Sequence, residues 1–322
     1  MRAAGGDGVR AAVAAVPGID DVRAAAARIA RDVRRTPLHP FDGAAGVVLK
    51  LENLQPTGSF KVRGAANHMR ALAPALRGVI TASSGNHGQA VAYVAFRMGV
   101  PAVVVVPETV AAPKAAGIAR WGAEVIRYGT TASERLALAD ELAARRGLHL
   151  VPPFDDPLVV AGQGTCGLEI AEQAVEAAVV VVPVSGGGLI SGVALALKAL
   201  RPEILVVGAE PRTVARFTAS RAAGARVAVP STDTVCDGLR VQQPGVLPWE
   251  ITTRCVDAFV QVDDPPVLEA VARLWVEAHL VVEPSGAIAL AALLEGAVTA
   301  RPAVAVVSGG NLDPALIANL RL

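Results

Sequence analysis

The sequence predicts an α/β protein built on a mostly parallel sheet covered on both faces, and three features predict it. Apolar runs such as Pro101–Val106 (PAVVVV) and Val179–Val184 (VVVVPV) show no polar alternation, the pattern of strands buried on both sides. Segments of helical length separate these runs, so consecutive strands are joined by crossovers rather than hairpins. The chain has 322 residues, 52% hydrophobic and 18% charged, enough for a large core in one large or two medium domains.

Residues 19–34 have helical periodicity and an acidic start, and Thr36-Pro37-Leu38 stops them. Val47–Leu51 is a short strand that leads into Leu51–Asn67 (LENLQPTGSFKVRGAAN). There Gly58 lets the backbone turn, and Ser59 is a natural N-cap for a helix entering at Phe60. Val79–Ala82 is a strand, followed by the polar turn Ser83–Gly88 and a helix through Gln89–Met98. Next come the strand Pro101–Val106, a helix near Ala112–Trp121, the strand Glu124–Tyr128, the helix Ser133–Arg146 and the strand Leu148–Pro152. Glu169–Ala177 belongs to a helix, Val179–Val184 is a buried strand, Leu189–Leu200 a helix and Leu205–Ala209 a strand. Residues 211–265 are less regular, with turns at Pro230, Gly238, Pro244, Gly245 and Pro248. Helices over Pro266–Leu280 and Ala287–Leu294 precede a last strand, Ala303–Val307. Residues 1–17 read as a flexible extension without the apolar core of a signal peptide.

The composition excludes several classes of function. A net charge of +1 gives no electrostatic case for nucleic acid or an anionic membrane, and 3% aromatics leaves no stacking platform. Ala177–Leu197 carries no charge, but Pro183 and Ser185-Gly186-Gly187-Gly188 would break a spanning helix in its middle. Cys166, Cys236 and Cys255 are odd in number and form no CxxC pair, which fits reduced cytoplasmic thiols better than a disulfide framework or a zinc site.

The chemistry concentrates in the loops after strands. Lys61 falls in the first turn of a helix, where the positive end of the dipole opposes a second cation. A surface lysine opening an ordinary helix reads the same way as one neutralised by condensation with an aldehyde. Ser185–Gly188 precedes a helix opening at Leu189, and its small residues let a phosphate approach free backbone N–H groups. It has neither the Lys-Ser/Thr of a nucleotide P-loop nor GxGxxG spacing, so a small phosphate-bearing ligand or a plain tight turn are the two readings. Ser83–Gly88 offers hydroxyls, an amide and backbone donors at another strand-to-helix turn. Ser308-Gly309-Gly310-Asn311 presents a hydroxyl to a ring nitrogen or caps the last helix.

A phosphate-bearing aldehyde that condenses with a lysine is pyridoxal phosphate. LENLQPTGSFKVRGA, SSGNHGQA, GQGTCGLEI, VPVSGGGLISG, EPSGA and SGGN occur here in the order seen in fold-type II pyridoxal-phosphate enzymes. The chain resembles the threonine/serine dehydratase (ammonia-lyase) and serine racemase branch over residues 20–315, and Val62 after the lysine separates it from relatives that carry Asp there. The resemblance implies two open, twisted, mostly parallel sheets flanked by helices, the tryptophan synthase β-like fold. It also implies a large cofactor-binding domain of residues 18–52 and 158–322. Residues 53–157 would be the lysine segment followed by an inserted small α/β domain from about residue 70. A homodimer acting on a small amino acid is implied as well.

By the same resemblance, Lys61 would condense with the cofactor and then act as base at Cα. Phe60 would pack near the ring and Asn86 would bond its phenolic oxygen. Ser185, Gly186, Gly187, Gly188 and Leu189 would cradle the phosphate. Glu283 would lie by the cofactor, and Ser308 would face the pyridine nitrogen. Ser83, Ser84, Asn86 and His87 would bind the substrate carboxylate, Ser84 standing where racemases have their second acid/base, and Arg135 would stand near the substrate. The implied reaction is β-elimination of L-threonine and/or L-serine to a 2-keto acid and ammonia. Serine racemisation, dehydration of 3-hydroxyaspartate and a non-catalytic phosphate-ligand sensor are the alternatives. Many relatives bind a divalent cation through an acid at Glu210 and a second carboxylate where this chain has Arg216, so no metal is expected and Arg216 is read as its replacement.

Overall fold

The computed structural model describes residues 15–83, 85–230 and 232–317; most of the extension read at 1–17 lies outside them, as does Ser84. The described strands form two sheets. The larger contains β1 (Leu38–Pro40), β2 (Val47–Leu51), β7 (Val179–Pro183), β8 (Leu205–Pro211), β9 (Ala258–Val262) and β10 (Ala303–Val307), in the order β1-β2-β10-β7-β8-β9. All its pairs are parallel except β1 with β2. The smaller sheet is fully parallel, in the order β5 (Glu124–Arg127), β4 (Ala102–Val106), β3 (Val79–Ala82), β6 (His149–Leu150). Two mostly parallel sheets flanked by helices are the tryptophan synthase β-like architecture.

The apolar runs at β4, β7 and β10 are buried along their whole length, as strands covered on both faces must be. One face of the larger sheet packs on the helices Asp264–Val276 and Pro284–Leu294, the other on Pro157–Gln173 and Gly188–Leu200. The strand order has a direct consequence for the loops. Because β2, β10 and β7 are parallel neighbours, the lysine loop, Ser308–Asn311 and Ser185–Gly188 leave the same edge side by side. No helix among the described residues is long and apolar enough to cross a membrane.

The structure departs from the sequence reading at three places. The first helix ends at Ile29, and the proline-bearing stretch after it forms β1, where an antiparallel edge position tolerates Pro40. Residues 211–265 hold β9 and the helices Arg216–Ala223 and Val246–Cys255; β9 is half-buried and short, so no unbroken apolar run announces it. The helix expected around Glu169 starts at Pro157, masked in sequence by Gly162, Gly164 and Gly167. Packing requires glycine here: a Cβ at Gly162 would stand 2.6 Å from the Arg63 carbonyl, and one at Gly167 2.7 Å from the Val193 carbonyl.

Candidate active site

Lys61 opens the helix Lys61–Ala71 with Phe60 at the N-cap position. Ser59 does not cap it as expected, because Phe60 is already in helical conformation and Ser59 is drawn into a bridge with Gly309. The Phe60 N–H donates to the Ser308 carbonyl at 3.1 Å, and the Gly310 N–H to the Gly58 carbonyl at 2.8 Å. This small ladder fastens the lysine loop to Ser308–Asn311. Lys61 Nζ donates to the Pro153 carbonyl at 2.7 Å and lies 5.2 Å from the centre of the Phe60 ring. Burial pulls its ammonium down to about 8, and no carboxylate among the described residues pairs with it.

The back of the same helix is anchored by buried charge. The Arg63 guanidinium grips both Glu52 oxygens at 2.7 Å and the two Glu169 oxygens at 2.7 and 2.9 Å. Lys50 Nζ donates to Glu169 at 2.6 Å and to the Thr36 carbonyl at 2.7 Å. Two cations face two carboxylates two residues beyond Lys61, joining the end of β2 and Pro157–Gln173 to the lysine helix. The motif reading registers Arg63 only as part of a pattern.

The glycine loop fits a phosphate. Gly187 has φ of +100° at the N-cap of Gly188–Leu200, and a Cβ there would stand 2.5 Å from Phe217 Cζ. The first rung of that helix runs from Ser191 N–H to the Gly187 carbonyl, so the N–H groups of Gly188, Leu189 and Ile190 precede the ladder. Ser185 Oγ is buried without a partner, which is the condition of a hydroxyl awaiting an acceptor. Phe154 packs on Gly186 and Gly188.

Across the site, Asn86 Nδ2 donates to Glu283 Oε1 at 2.5 Å, and Asn86 Oδ1 accepts from Asn311 Nδ2 at 2.7 Å. These bonds join the smaller sheet's loop to the larger sheet. Burial, reinforced by Asp237, pushes Glu283 up to about 7. Ser308 is buried and donates through Oγ to the Ser285 carbonyl at 3.5 Å rather than capping a helix. Ser83 Oγ accepts from the Gly85 N–H at 3.3 Å. The helix begins at Asn86, and its first rung, Gln89 N–H to the Gly85 carbonyl, leaves the N–H groups of Asn86, His87 and Gly88 ahead of the ladder. His87 is buried and bonds the Val151 carbonyl through Nε2 at 3.1 Å; burial and the nearby Lys61 pull it down to about 3, so it stays neutral. Arg135 is half-buried on Ala132–Arg146 with Nη1 lacking a partner, and no described bond ties it to the other site residues.

Sequence reasoning missed Thr57 and Ser59, whose hydroxyls are buried and unpartnered within the lysine loop. A small hydroxyl residue on either side of Gly58 was the only available signal. It also missed Pro153, which acts through a backbone carbonyl and leaves no mark in the side-chain pattern.

Glu210 is fully buried, and its carboxylate accepts from the N–H groups of Phe217 (2.9 Å) and Thr218 (3.0 Å) and from Thr218 Oγ1 (3.0 Å). Arg216 Nε is 3.8 Å from Glu210, while its other nitrogens donate to the carbonyls of Val184 (2.9 Å), Leu239 (2.8 Å) and Val214. Burial pulls Arg216 down to about 10 and pushes Glu210 up, so pairing across 3.8 Å does not offset the loss of water. Among the described residues no cluster of His, Cys, Asp or Glu is arranged to hold a metal.

A buried lysine amine, a glycine loop with free backbone N–H groups and a strand order that brings the two to one edge are the arrangement that a pyridoxal-phosphate enzyme requires. Residues 29–309 match the family described as pyridoxal-phosphate dependent enzyme. The chain is 42% identical to an L-threonine ammonia-lyase of Geobacter sulfurreducens, over 89% of this chain and 73% of that one. It is 40% identical to a serine racemase of Oryza sativa subsp. indica, over 96% and 95%. A crystal structure of a threonine deaminase from T.th. superposes with a TM-score of 0.88 at 42% identity, covering 92% of this chain and 99% of that one. The chain belongs to the fold-type II pyridoxal-phosphate enzymes, in the threonine dehydratase/serine racemase family.

Proposed function

We propose that the protein catalyses the deaminating β-elimination of L-threonine and/or L-serine, giving the 2-keto acid and ammonia. One observation carries this reading: an amine brought to about 8 by burial stands one loop away from a phosphate cradle. Pyridoxal phosphate supplies the aldehyde and the conjugated ring that accepts electrons from Cα. Ser185, the Gly186–Gly188 backbone and Leu189 hold its phosphate, and Phe60, Asn86, Glu283 and Ser308 surround its ring. Ser308 would offer the ring nitrogen a neutral hydroxyl and no charge, which would favour elimination over transamination. Lys61 would take the Cα proton; the Cβ–O bond would then break, the hydroxyl leaving as water with a proton, and hydrolysis of the resulting enamine by water would give the 2-keto acid and ammonia. The Asn86–Gly88 N–H groups, with Ser83 and Ser84, hold the substrate carboxylate. His87 supports that loop from behind through its bond to the Val151 carbonyl, and Arg135 would stand near the substrate. Residues 18–52 and 158–322 carry the cofactor on this reading, with a lobe from about residue 70 to 157 inserted between them.

The end-to-end match to the rice racemase favours a second reading, in which Ser84 returns a proton to the opposite face of Cα. The deciding experiment is incubation with a panel of D- and L-hydroxy amino acids, following keto acid and chirality together. Rapid keto acid from L-threonine or L-serine with slow racemisation is expected; racemisation outrunning keto acid release would overturn the lyase reading.

Arg216 stands in for a divalent cation, filling with its guanidinium the space between the Glu210 carboxylate and the Val184, Val214 and Leu239 carbonyls. Exhaustive chelation should leave kcat and the unfolding midpoint within about twofold and ~1 °C of the untreated enzyme, since no charge is removed. A strong gain of activity and stability on adding Mg²⁺ back after chelation would refute it.

A further inference from the structure

Histidines His68 and His149 meet outside the cofactor site. Their Nε2 atoms are 2.8 Å apart, and His68 Nδ1 lies 3.0 Å from Asp156 Oδ1. His68 belongs to the lysine helix, His149 to β6, and Asp156 is the N-cap of Pro157–Gln173, bonding the Val159 N–H at 2.9 Å. A carboxylate beside Nδ1 fixes a proton there. The 2.8 Å contact then has room for one proton between the two Nε2 atoms, since two N–H groups cannot point at each other at that distance.

The segment between His149 and Asp156 explains why this pair matters. The Val151 carbonyl accepts from His87 and from Thr81 Oγ1, and the Pro153 carbonyl accepts from Lys61 Nζ. Phe154 packs on the phosphate loop, and the Asp155 carboxylate accepts from the N–H groups of Val246 (2.8 Å) and Leu247 (2.9 Å). One short strap therefore touches the lysine, the cradle and the smaller sheet, and the histidine pair is its closure.

We propose that His68 and His149, closed on one shared proton and aligned by Asp156, are positioning residues that hold the 149–156 strap so that the Pro153 carbonyl parks the Lys61 amine, and that a second proton opens the pair. The link to Lys61 rests on the reading of that lysine as the reactive amine. The charged and titratable groups facing the pair are Asp156 from the following helix, His87 from Asn86–Met98 and, beyond His87, Lys61. Burial and the neighbouring His68 hold His149 below the usual imidazole range against the pull of Asp156. Burial pushes Asp156 up, but the bond from His68 outweighs it and keeps the carboxyl ionised. The closed form therefore prevails at neutral pH and opens on the acid side.

The test compares wild-type holoenzyme with His149→Gln, which keeps an amide donor but cannot titrate, between about pH 8 and pH 5. Two readouts are followed: backbone hydrogen exchange over residues 149–156, and the fraction of cofactor fixed on the Lys61 peptide by borohydride reduction. The wild-type exchange rate, divided by that of His149→Gln at the same pH, is expected to rise about tenfold per pH unit as pH falls toward the transition, the slope of a single proton, and to level off below it, with the fixed fraction changing in step. His68→Phe is expected to exchange fast at every pH. Imidazole ¹⁵N spectra of the wild type, which need no variant to fold, should show two protons on the pair above the transition and three below it. Parallel exchange in wild type and His149→Gln, or a His68→Phe strap as protected as wild type, would overturn the clasp. Cofactor that is never fixed on Lys61 at any pH would overturn the link to the lysine along with the functional reading, and the exchange comparison would still report on the clasp by itself.

Discussion

Lys61→Ala is expected to lose turnover by at least about 10⁴-fold, because one substitution removes both the amine that captures the cofactor and the base that acts at Cα. The visible absorbance of lysine-bound cofactor should vanish with it, and borohydride should no longer fix label on the peptide. Folding should survive. In the wild type, burial lowers this amine to about 8 from 10.5, so the unfolded chain binds its proton more tightly and between those values keeps a proton that the folded chain has lost. A group shifted in that direction works against the folded state at neutral pH, and its removal should leave the unfolding midpoint of the cofactor-free protein equal or higher. The same shift sets a pH profile: the neutral amine grows as pH rises through about 8, so the rate of Cα proton removal should climb with pH and level off above it. Wild-type kcat measured from pH 6.5 to 9.5 checks the profile (roughly one unit and more on each side of the shifted value). Residual turnover in Lys61→Ala within about tenfold of wild type would remove the lysine from the mechanism.

The sheet was readable because its chemistry is monotonous. Val179–Pro183 and Ala303–Val307 are nearly unbroken valine and alanine, and only a two-sided burial explains such runs. The edge strands β1 and β9 were hidden because an edge needs no such run and tolerates proline. The cradle was readable because Ser185–Gly188 is a local device, with strand, small residues and helix consecutive in the chain. What could not be read locally was whatever acts across the fold: Lys61 on the Pro153 carbonyl, Asn86 on Glu283, His68 on His149. Those contacts join residues about 80 to 200 positions apart, and nothing in one segment names its partner in another. Ser59 shows the same limit from the other side. It is a good N-cap by type, but the loop at Gly309 claims its backbone.

Arg63→Met should cost about 3–5 kcal/mol of stability, the largest loss expected from any single change outside the cofactor site. The Arg63 side chain is wholly inaccessible to water and, among the described residues, is the only cation bonded to Glu52, whose remaining bonds come from Thr36 and Gln55. Removing it strands a carboxylate in the core. Lys50→Met should cost less, because Glu169 would still be gripped twice by Arg63. The pH dependence follows from Glu52. Burial alone would raise its pKa, but Arg63, together with Lys50 and the Thr36 hydroxyl, outweighs burial and holds it below 4.5. A depressed carboxyl contributes stability that is present above its unfolded value and lost as pH falls through the folded one. Without Arg63 burial is opposed only by Lys50 and the Thr36 hydroxyl, the folded pKa rises, and the remaining stability is greatest in acid. The gap between wild type and Arg63→Met should therefore be widest near neutral pH and narrow as pH falls below about 4.5. Urea unfolding midpoints at neutral pH and at a pH well below about 4.5 measure both ends. Adding Glu52→Gln to Arg63→Met removes the stranded charge and should restore part of the loss, since a neutral amide costs far less to bury than an unpaired carboxylate. Because Arg63 lies within one turn of Lys61 on the same helix, the singly substituted enzyme should also bind cofactor more weakly while the double variant recovers. A destabilisation below about 1 kcal/mol, or one that does not change with pH, would mean that water already reaches this quartet and that it does not hold the lysine helix in place.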